Sequence, residues 1–178
     1  MTHATGTLPR APETRAFRAA MGCFPTGVTL LTRGCGAETA VMTLNSLTSV
    51  SLDPLLMLVS VRAEGRIRPH ISSHGSYAVN VLGAAQAALA AEFSRPDRPS
   101  GHAAMQRLGA VPGATGNAVM PGAQAYFECL LRDEIPAGDH VLLLGAVVGV
   151  SATAGTPDPL LFHQGRFTRL PPDRAETA

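Results

Sequence analysis

AVMTLNSLTSVSLDPLLMLVSV, residues 40–61, sets the frame for the whole chain. It alternates apolar and small polar residues, breaks at Asp53-Pro54, and then runs almost wholly apolar over residues 55–61. Alternation predicts a half-buried strand, and a continuous apolar run between turn signals predicts a strand covered on both faces. The middle is the unusual part. Thr43, Asn45, Ser46, Thr48, Ser49 and Ser51 place six small hydrogen-bonding side chains in nine residues. A sheet built only for stability would carry Val or Ile at such positions. Two readings stay open: an exposed Ser/Thr-rich sheet face, or a lining that wraps a polar, planar ligand with hydroxyls, an amide and nearby N–H groups.

Working outward, 178 residues suit one domain that buries roughly 70% of its unfolded surface. A formal charge of +1 with 15% charged residues supplies no field to recruit nucleic acid or anionic lipid. All fourteen basic residues are Arg, a coding bias rather than a chemical signal. Six Phe, two Tyr and no Trp are too few for a base-stacking platform. Cys23, Cys35 and Cys129 lack C-x-x-C spacing, and their odd number fits a reducing cytoplasm. The N-terminus shows no apolar signal segment, and the run at 141–150 is about half a membrane span. A soluble, cytoplasmic protein is expected.

Residues 1–12 read as a flexible arm and 171–178 as a loose tail around a domain at 13–170. Helices are expected at 13–23, 69–73 and 84–93, and strands at 28–32, 39–44, near Ser49, at 55–61 and at 77–82. Gly34-Cys35-Gly36 is formally G-x-G, but no helix follows, so it is read as a hairpin turn. Residues 94–122 form a Gly/Pro-rich loop with at most one helical turn near 103–108, and a loop this long is usually functional or mobile. Two long strands, 123–133 and 140–150, pair across 135–138, and a last hairpin turns at Gln164-Gly165. About seven short strands at this spacing predict a closed or nearly closed antiparallel barrel.

Several motifs together carry a resemblance. Phe24-Pro25-Thr26-Gly27-Val28, the run from Met42 to Pro54, Tyr77-Ala78-Val79-Asn80-Val81-Leu82, Phe127-Glu128-Cys129, Gly138-Asp139-His140 and Pro159-Leu160-Leu161-Phe162 are collinear with the flavin reductase family. The resemblance spans residues 17–170. It implies a mainly β fold, a Greek-key-like antiparallel split β-barrel with a few short helices. It further implies a homodimer in which a flavin lies in a groove between barrel and partner. The activity it implies is NAD(P)H-dependent reduction of FAD or FMN, as the reductase of a two-component flavin-dependent monooxygenase. NADH is expected over NADPH, and FAD slightly over FMN. Leu44, Leu47 and Leu55 depart from the usual Ala, Phe and Pro and alter packing beside the flavin without removing a polar contact.

The resemblance also assigns roles. Thr43, Asn45 and Ser46 match the segment facing the polar edge of the ring, Ser49 and Ser51 extend that cluster, and Thr26 borders it. Ser60, Arg66 and Arg68 match the phosphate site; Arg clamps phosphate bidentately, though by itself such a turn is an ordinary solvated one. His140 is placed near the nicotinamide as the catalytic candidate, its neutral pKa suiting charge compensation. Asp139 orients that turn, and His163 and Arg166 approach the flavin or the dimer interface. No metal is expected: His70 and His74 share a short helix without a third ligand. Cys129 reads as a buried thiol, and no G-x-S-x-G supports a serine hydrolase. The rival readings are a flavin- or haem-binding barrel without turnover and a pyridoxamine-phosphate-oxidase-like FMN oxidase.

Overall fold

A computed structural model describes residues 11–155 and 158–171. The expected arm and tail lie outside them, except for residues 11, 12 and 171. The chain runs α1 (Thr14–Gly22), β1 (Thr26–Gly27), β2 (Thr29–Arg33), β3 (Ala40–Leu44), β4 (Thr48–Leu52), β5 (Leu55–Arg62), α2 (Ile67–His74), β6 (Ser76–Val81) and α3 (Ala87–Phe93). It continues with α4 (Gly101–Leu108), β7 (Val111–Pro112), β8 (Ala118–Val119), β9 (Ala125–Ala137), β10 (His140–Ala152), β11 (Leu160–His163) and β12 (Arg166–Arg169). Twelve strands exceed the seven or so expected; three of them have only two residues, and two more are the four-residue strands of the last hairpin.

Seven strands form one antiparallel sheet in the order β3-β2-β6-β9-β10-β5-β4. The sheet curls until its two edges meet, because one apolar cluster gathers residues from six of its strands: Leu31, Leu44, Val59, Val79, Cys129 and Leu143, all buried. Ile67 and Ile71 of α2 close that core from one end. No ladder joins β3 to β4. Instead the Ser46 hydroxyl, in the link at this seam, continues the β4–β5 register and ties the link to β5, donating to the Ser60 carbonyl at 2.8 Å and accepting from the Ser60 N–H at 3.1 Å. The fold is therefore a mainly β, antiparallel split barrel. A second cluster, with Leu30, Val41, Phe93, Leu108 and Leu160, packs α3 and α4 against the outside of β2 and β3.

Local chemistry explains where expectation and structure part. β5 was expected to be covered on both faces, yet only Met57, Val59 and Val61 are fully buried, since the alternate residues border an open surface. The β9–β10 hairpin is longer than predicted: Pro136 lies within the ladder opposite Val141, and the turn is Gly138-Asp139 with Gly138 at φ 65°. Gly145 sits at a register shift in β10, where an added Cβ would strike the Tyr77 hydroxyl. Among described residues no helix is long and apolar enough to cross a membrane.

The 94–122 segment differs most. It holds two turns of helix and the β7–β8 hairpin, and buried polar groups pin it down. Asn80 donates to Leu30 O and Thr32 Oγ1 and accepts from Met120 N–H at 2.8 Å. Asn117 accepts from Gly34 N–H and donates to Ser76 Oγ. Buried Glu128 accepts from the N–H groups of Ala114 and Thr115 and from the Thr115 hydroxyl.

Candidate active site

A cleft runs along the outer side of β3 and past the barrel seam. Its middle, about 350 Å³, is lined by Val28, Thr43, Leu44, Asn45, Ser94 and the aromatic pair Phe162 and Phe167, whose rings meet edge to face at 5.7 Å. Asn45 and Phe162 are shared with a hollow of about 340 Å³ under α1, bordered by Phe17, Met21, Phe24, Thr26 and Gln164. Ser94 is shared with a third space of about 480 Å³ bordered by Arg62, Glu64, Arg66 and Arg98. Apolar walls at one end and guanidinium groups at the other suit a planar ring carrying a phosphate.

The hydrogen-bond inventory shows what each polar wall group can still offer. Asn45 Nδ2 donates to Thr26 Oγ1 at 3.0 Å, leaving the Asn45 carbonyl, its second N–H and the Thr26 O–H to face the cleft. That set of alternating acceptor and donors fits the polar edge of a heterocyclic ring. Thr43 Oγ1 already donates to Ala90 O at 2.7 Å, so it can only accept there. Ser46, expected at the ring, spends its hydroxyl on the seam with Ser60. Arg66 reaches the Pro96 carbonyl and borders the basic space. Arg68 does not join it, because its guanidinium pairs with Glu134 at 3.1 Å and donates to Ala63 O.

Strand alternation separates other expected residues from the cleft. Phe162 and Phe167 face each other across β11 and β12 and line it, whereas the next pair, His163 and Arg166, is carried to the opposite face. Ser49 and Ser51 border a different hollow of about 300 Å³ with Leu52, Leu55, Phe127 and Val150, which shares no lining residue with the cleft. The Ser51 hydroxyl accepts from Asp53 N–H and shapes the turn into β5.

His140 stands at the start of β10, opposite Arg62 in the ladder; Arg62 borders the basic mouth, whereas His140 is not among its lining residues. Its Nδ1 lies 2.8 Å from Asp139 Oδ1, a carboxylate that accepts the Nδ1 proton and leaves Nε2 directed elsewhere. That bond from His140, together with the imidazole charge, holds the Asp139 carboxyl below its usual range. Sequence reasoning missed Ser94, Phe162, Phe167 and Arg98 as cleft residues. Only the pair opposition in the last hairpin carried a readable signal; Ser94 and Arg98 reach the site through tertiary folding.

Comparison with known proteins agrees with this geometry. The model of the flavin reductase like domain family matches residues 21–171. An NADH-dependent FMN reductase, AsuE2, of Streptomyces nodosus subsp. asukaensis is 44% identical over 165 residues, 93% of this chain and 88% of that protein. The reductase subunit HsaB of a Mycobacterium tuberculosis flavin-dependent monooxygenase is 30% identical over 169 residues, 93% of this chain and 87% of that protein. The solved structure of the Streptomyces globisporus NADH:FAD oxidoreductase SgcE6 in complex with NAD and FAD fragments superposes with a TM-score of 0.83. It is 34% identical, covering 94% of this chain and 99% of that one. A split barrel with a ring-sized cleft leading to a basic mouth, and a family match over most of its length, place this chain in the flavin reductase like family.

Proposed function

We propose that this chain is an NADH:flavin oxidoreductase that reduces FAD or FMN and supplies it to a partner flavin-dependent monooxygenase. The observation that carries the reading is the row of three adjoining hollows, sharing Asn45, Phe162 and Ser94, from the Asn45–Thr26 pair to Arg62 and Arg66. When bound there, a flavin accepts hydride from the nicotinamide. The chain's own part is to bind and orient. Asn45, Thr26 and Thr43 fix the polar edge of the ring, the Phe162–Phe167 pair walls it, and Arg66 with Arg62 holds phosphate. His140, tethered by Asp139, presents Nε2 beside Arg62, where it receives the dinucleotide or offsets negative charge.

The working unit is a homodimer in this reading. Support comes from a patch on β4, β5 and β10 where Leu52 is 83% exposed and Val50, Leu55, Val148 and Val150 are also exposed, around the hollow that Ser49 and Ser51 border. A second copy of the chain covering that patch accounts for those serines without placing them on the flavin. Free Cys23, Cys35 and Cys129 suit a reducing cytoplasm.

The test follows nicotinamide absorbance with NADH or NADPH and riboflavin, FMN or FAD, beside light scattering for the oligomer. Flavin-dependent NADH oxidation by a dimer is expected. Stoichiometric co-purification of flavin with no NADH consumption would favour a non-catalytic flavin carrier instead.

A further inference from the structure

The hollow under α1 carries a charge that the proposed flavin contacts leave unused. Arg18 lines it beside Thr26, Asn45 and Phe162, and among described residues it is the only charged group that does so. Helical spacing brings it there. Arg18 and Gly22 lie four apart on one face of α1, and Gly22 is drawn onto the last hairpin, its carbonyl accepting from Gln164 N–H at 3.1 Å. Phe17 and Met21, likewise four apart, border the same hollow. Arg18 is exposed, makes no hydrogen bond, and among described residues has no carboxylate within 4.0 Å. His140, opposite Arg62 in the ladder, does not line this hollow. The reacting end of the cleft therefore holds one uncommitted cation, next to the neutral amide and hydroxyl of Asn45 and Thr26.

The reaction creates a demand for such a cation. Hydride, a proton with two electrons, leaves C4 of the nicotinamide as that C–H bond breaks, and a new N–H bond forms at flavin N5. The nicotinamide becomes NAD+, and the reduced ring carries one more negative charge, shared by N1 and the C2 carbonyl oxygen on its polar edge. An amide and a hydroxyl offer that edge much the same dipoles before and after transfer, whereas a guanidinium favours the charged form. We propose that Arg18 meets the polar edge of the ring beside Asn45 and stabilises the negative charge that hydride transfer places there. The inference rests on the flavin reductase reading, which sets that edge against Asn45 and Thr26.

Riboflavin is the probe, because it lacks the phosphate assigned to Arg62 and Arg66. Equilibrium dialysis without oxygen, at pH 8, gives the Kd of oxidised and of dithionite-reduced riboflavin for wild type, Arg18→Gln, Arg18→Lys and Arg15→Gln. Arg15 shares α1 but does not line the hollow, so it serves as the control. Arg18→Gln should raise the Kd of reduced riboflavin about tenfold and that of the oxidised form less than about twofold, screening by water at an exposed side chain keeping the effect no larger. For a two-electron couple that difference lowers the potential of the bound flavin by about 30 mV. Arg18→Lys should return to within about threefold of wild type, and Arg15→Gln should match it. Circular dichroism should show all the variants folded, since Arg18 makes no bond to lose. Equal weakening of both redox forms, no weakening of either, or a loss as large in Arg15→Gln overturns the proposal. A loss seen with FMN and absent with riboflavin also overturns it, because Arg18 would then hold phosphate. Wild-type chain that binds riboflavin in neither form sinks the flavin reductase reading as well, whereas normal wild-type binding with an unaltered Arg18→Gln sinks the role of Arg18 alone.

Discussion

Replacing Ser46 by Ala separates a seam residue from a flavin ligand. The hydroxyl makes two hydrogen bonds, both to Ser60, and they tie the link between β3 and β4 to β5 where backbone pairing of β4 with β5 has ended. Each is worth about 1 kcal/mol net, and leaving the half-buried Ser60 N–H and C=O unpaired adds to the loss, giving about 1.5–3 kcal/mol. For a domain of about 150–250 residues, 1 kcal/mol moves the melting temperature by about 2–4 °C. Ser46→Ala should therefore melt about 3–12 °C below wild type by circular dichroism. Because the hydroxyl's proton and one lone pair are already engaged, the KM for FMN should rise less than about threefold at a temperature where the variant is folded. An unchanged melting temperature with a KM raised tenfold or more would refute this: the hydroxyl would then belong to the ligand rather than to the seam.

Asn45→Ala should do the reverse, keeping the melting temperature within about 1 °C while raising the flavin KM about tenfold, because an exposed amide stabilises little but its lost contacts cost the ligand about 1.4 kcal/mol. His140→Ala should raise the KM for NADH with little effect on that for flavin, read from initial rates. The Asp139–His140 contact depresses a carboxyl pKa, so its contribution is complete above the ordinary Asp value of about 3.9 and disappears as pH falls through the lowered folded value. NMR titration should show Asp139 returning to the ordinary carboxylate range in His140→Ala. Cys129 is buried, and burial pushes its thiol up to about 12 despite the Tyr77 hydrogen bond. Iodoacetamide at pH 8 should thus label exposed Cys23 and spare Cys129 until unfolding, as peptide mass mapping would show. Gly145→Ala places a methyl against the Tyr77 hydroxyl and, at 2.9 Å, the Cys129 Cβ. It should cost about 1–3 kcal/mol in denaturant titration, and a neutral result would mean that the β10 bulge relaxes freely.

The barrel was legible because its strands advertise themselves. Alternation around Val41 and Leu44, the β-branched run before Leu82 and the Gln164-Gly165 turn are local signals, and each produced its element within a residue or two. What local pattern missed depends on distant partners. The 94–122 segment looked loose since nothing within it shows that Asn80 and Glu128, on β6 and β9, hold its backbone. The β7–β8 hairpin is too short to produce periodicity at all. In the site, residue type and motif order pointed to Thr26, Thr43, Asn45 and Arg66, which the fold gathers along one cleft. The resemblance and the polar cluster around Asn45 also grouped Arg68, Ser49 and Ser51 with them. Ser49 and Ser51 line a separate hollow on β4, and the carboxylate of Glu134 holds Arg68 away from the basic mouth. Arg98 was invisible because its neighbour Arg66 is thirty-two positions away and only the loop's path brings them together.

That path has a thermodynamic corollary. The segment bearing Arg98 is moored at both ends, by α3 before it and by the Asn117 and Glu128 bonds after it, and Arg98 itself is laced to Val41 on β3. The entropy of arranging these groups is lost once, when the polypeptide matures, rather than again at every catalytic cycle. Under the proposed function, a flavin phosphate would thus meet a finished receptacle, and its rate of capture would be governed by encounter instead of by a closing flap.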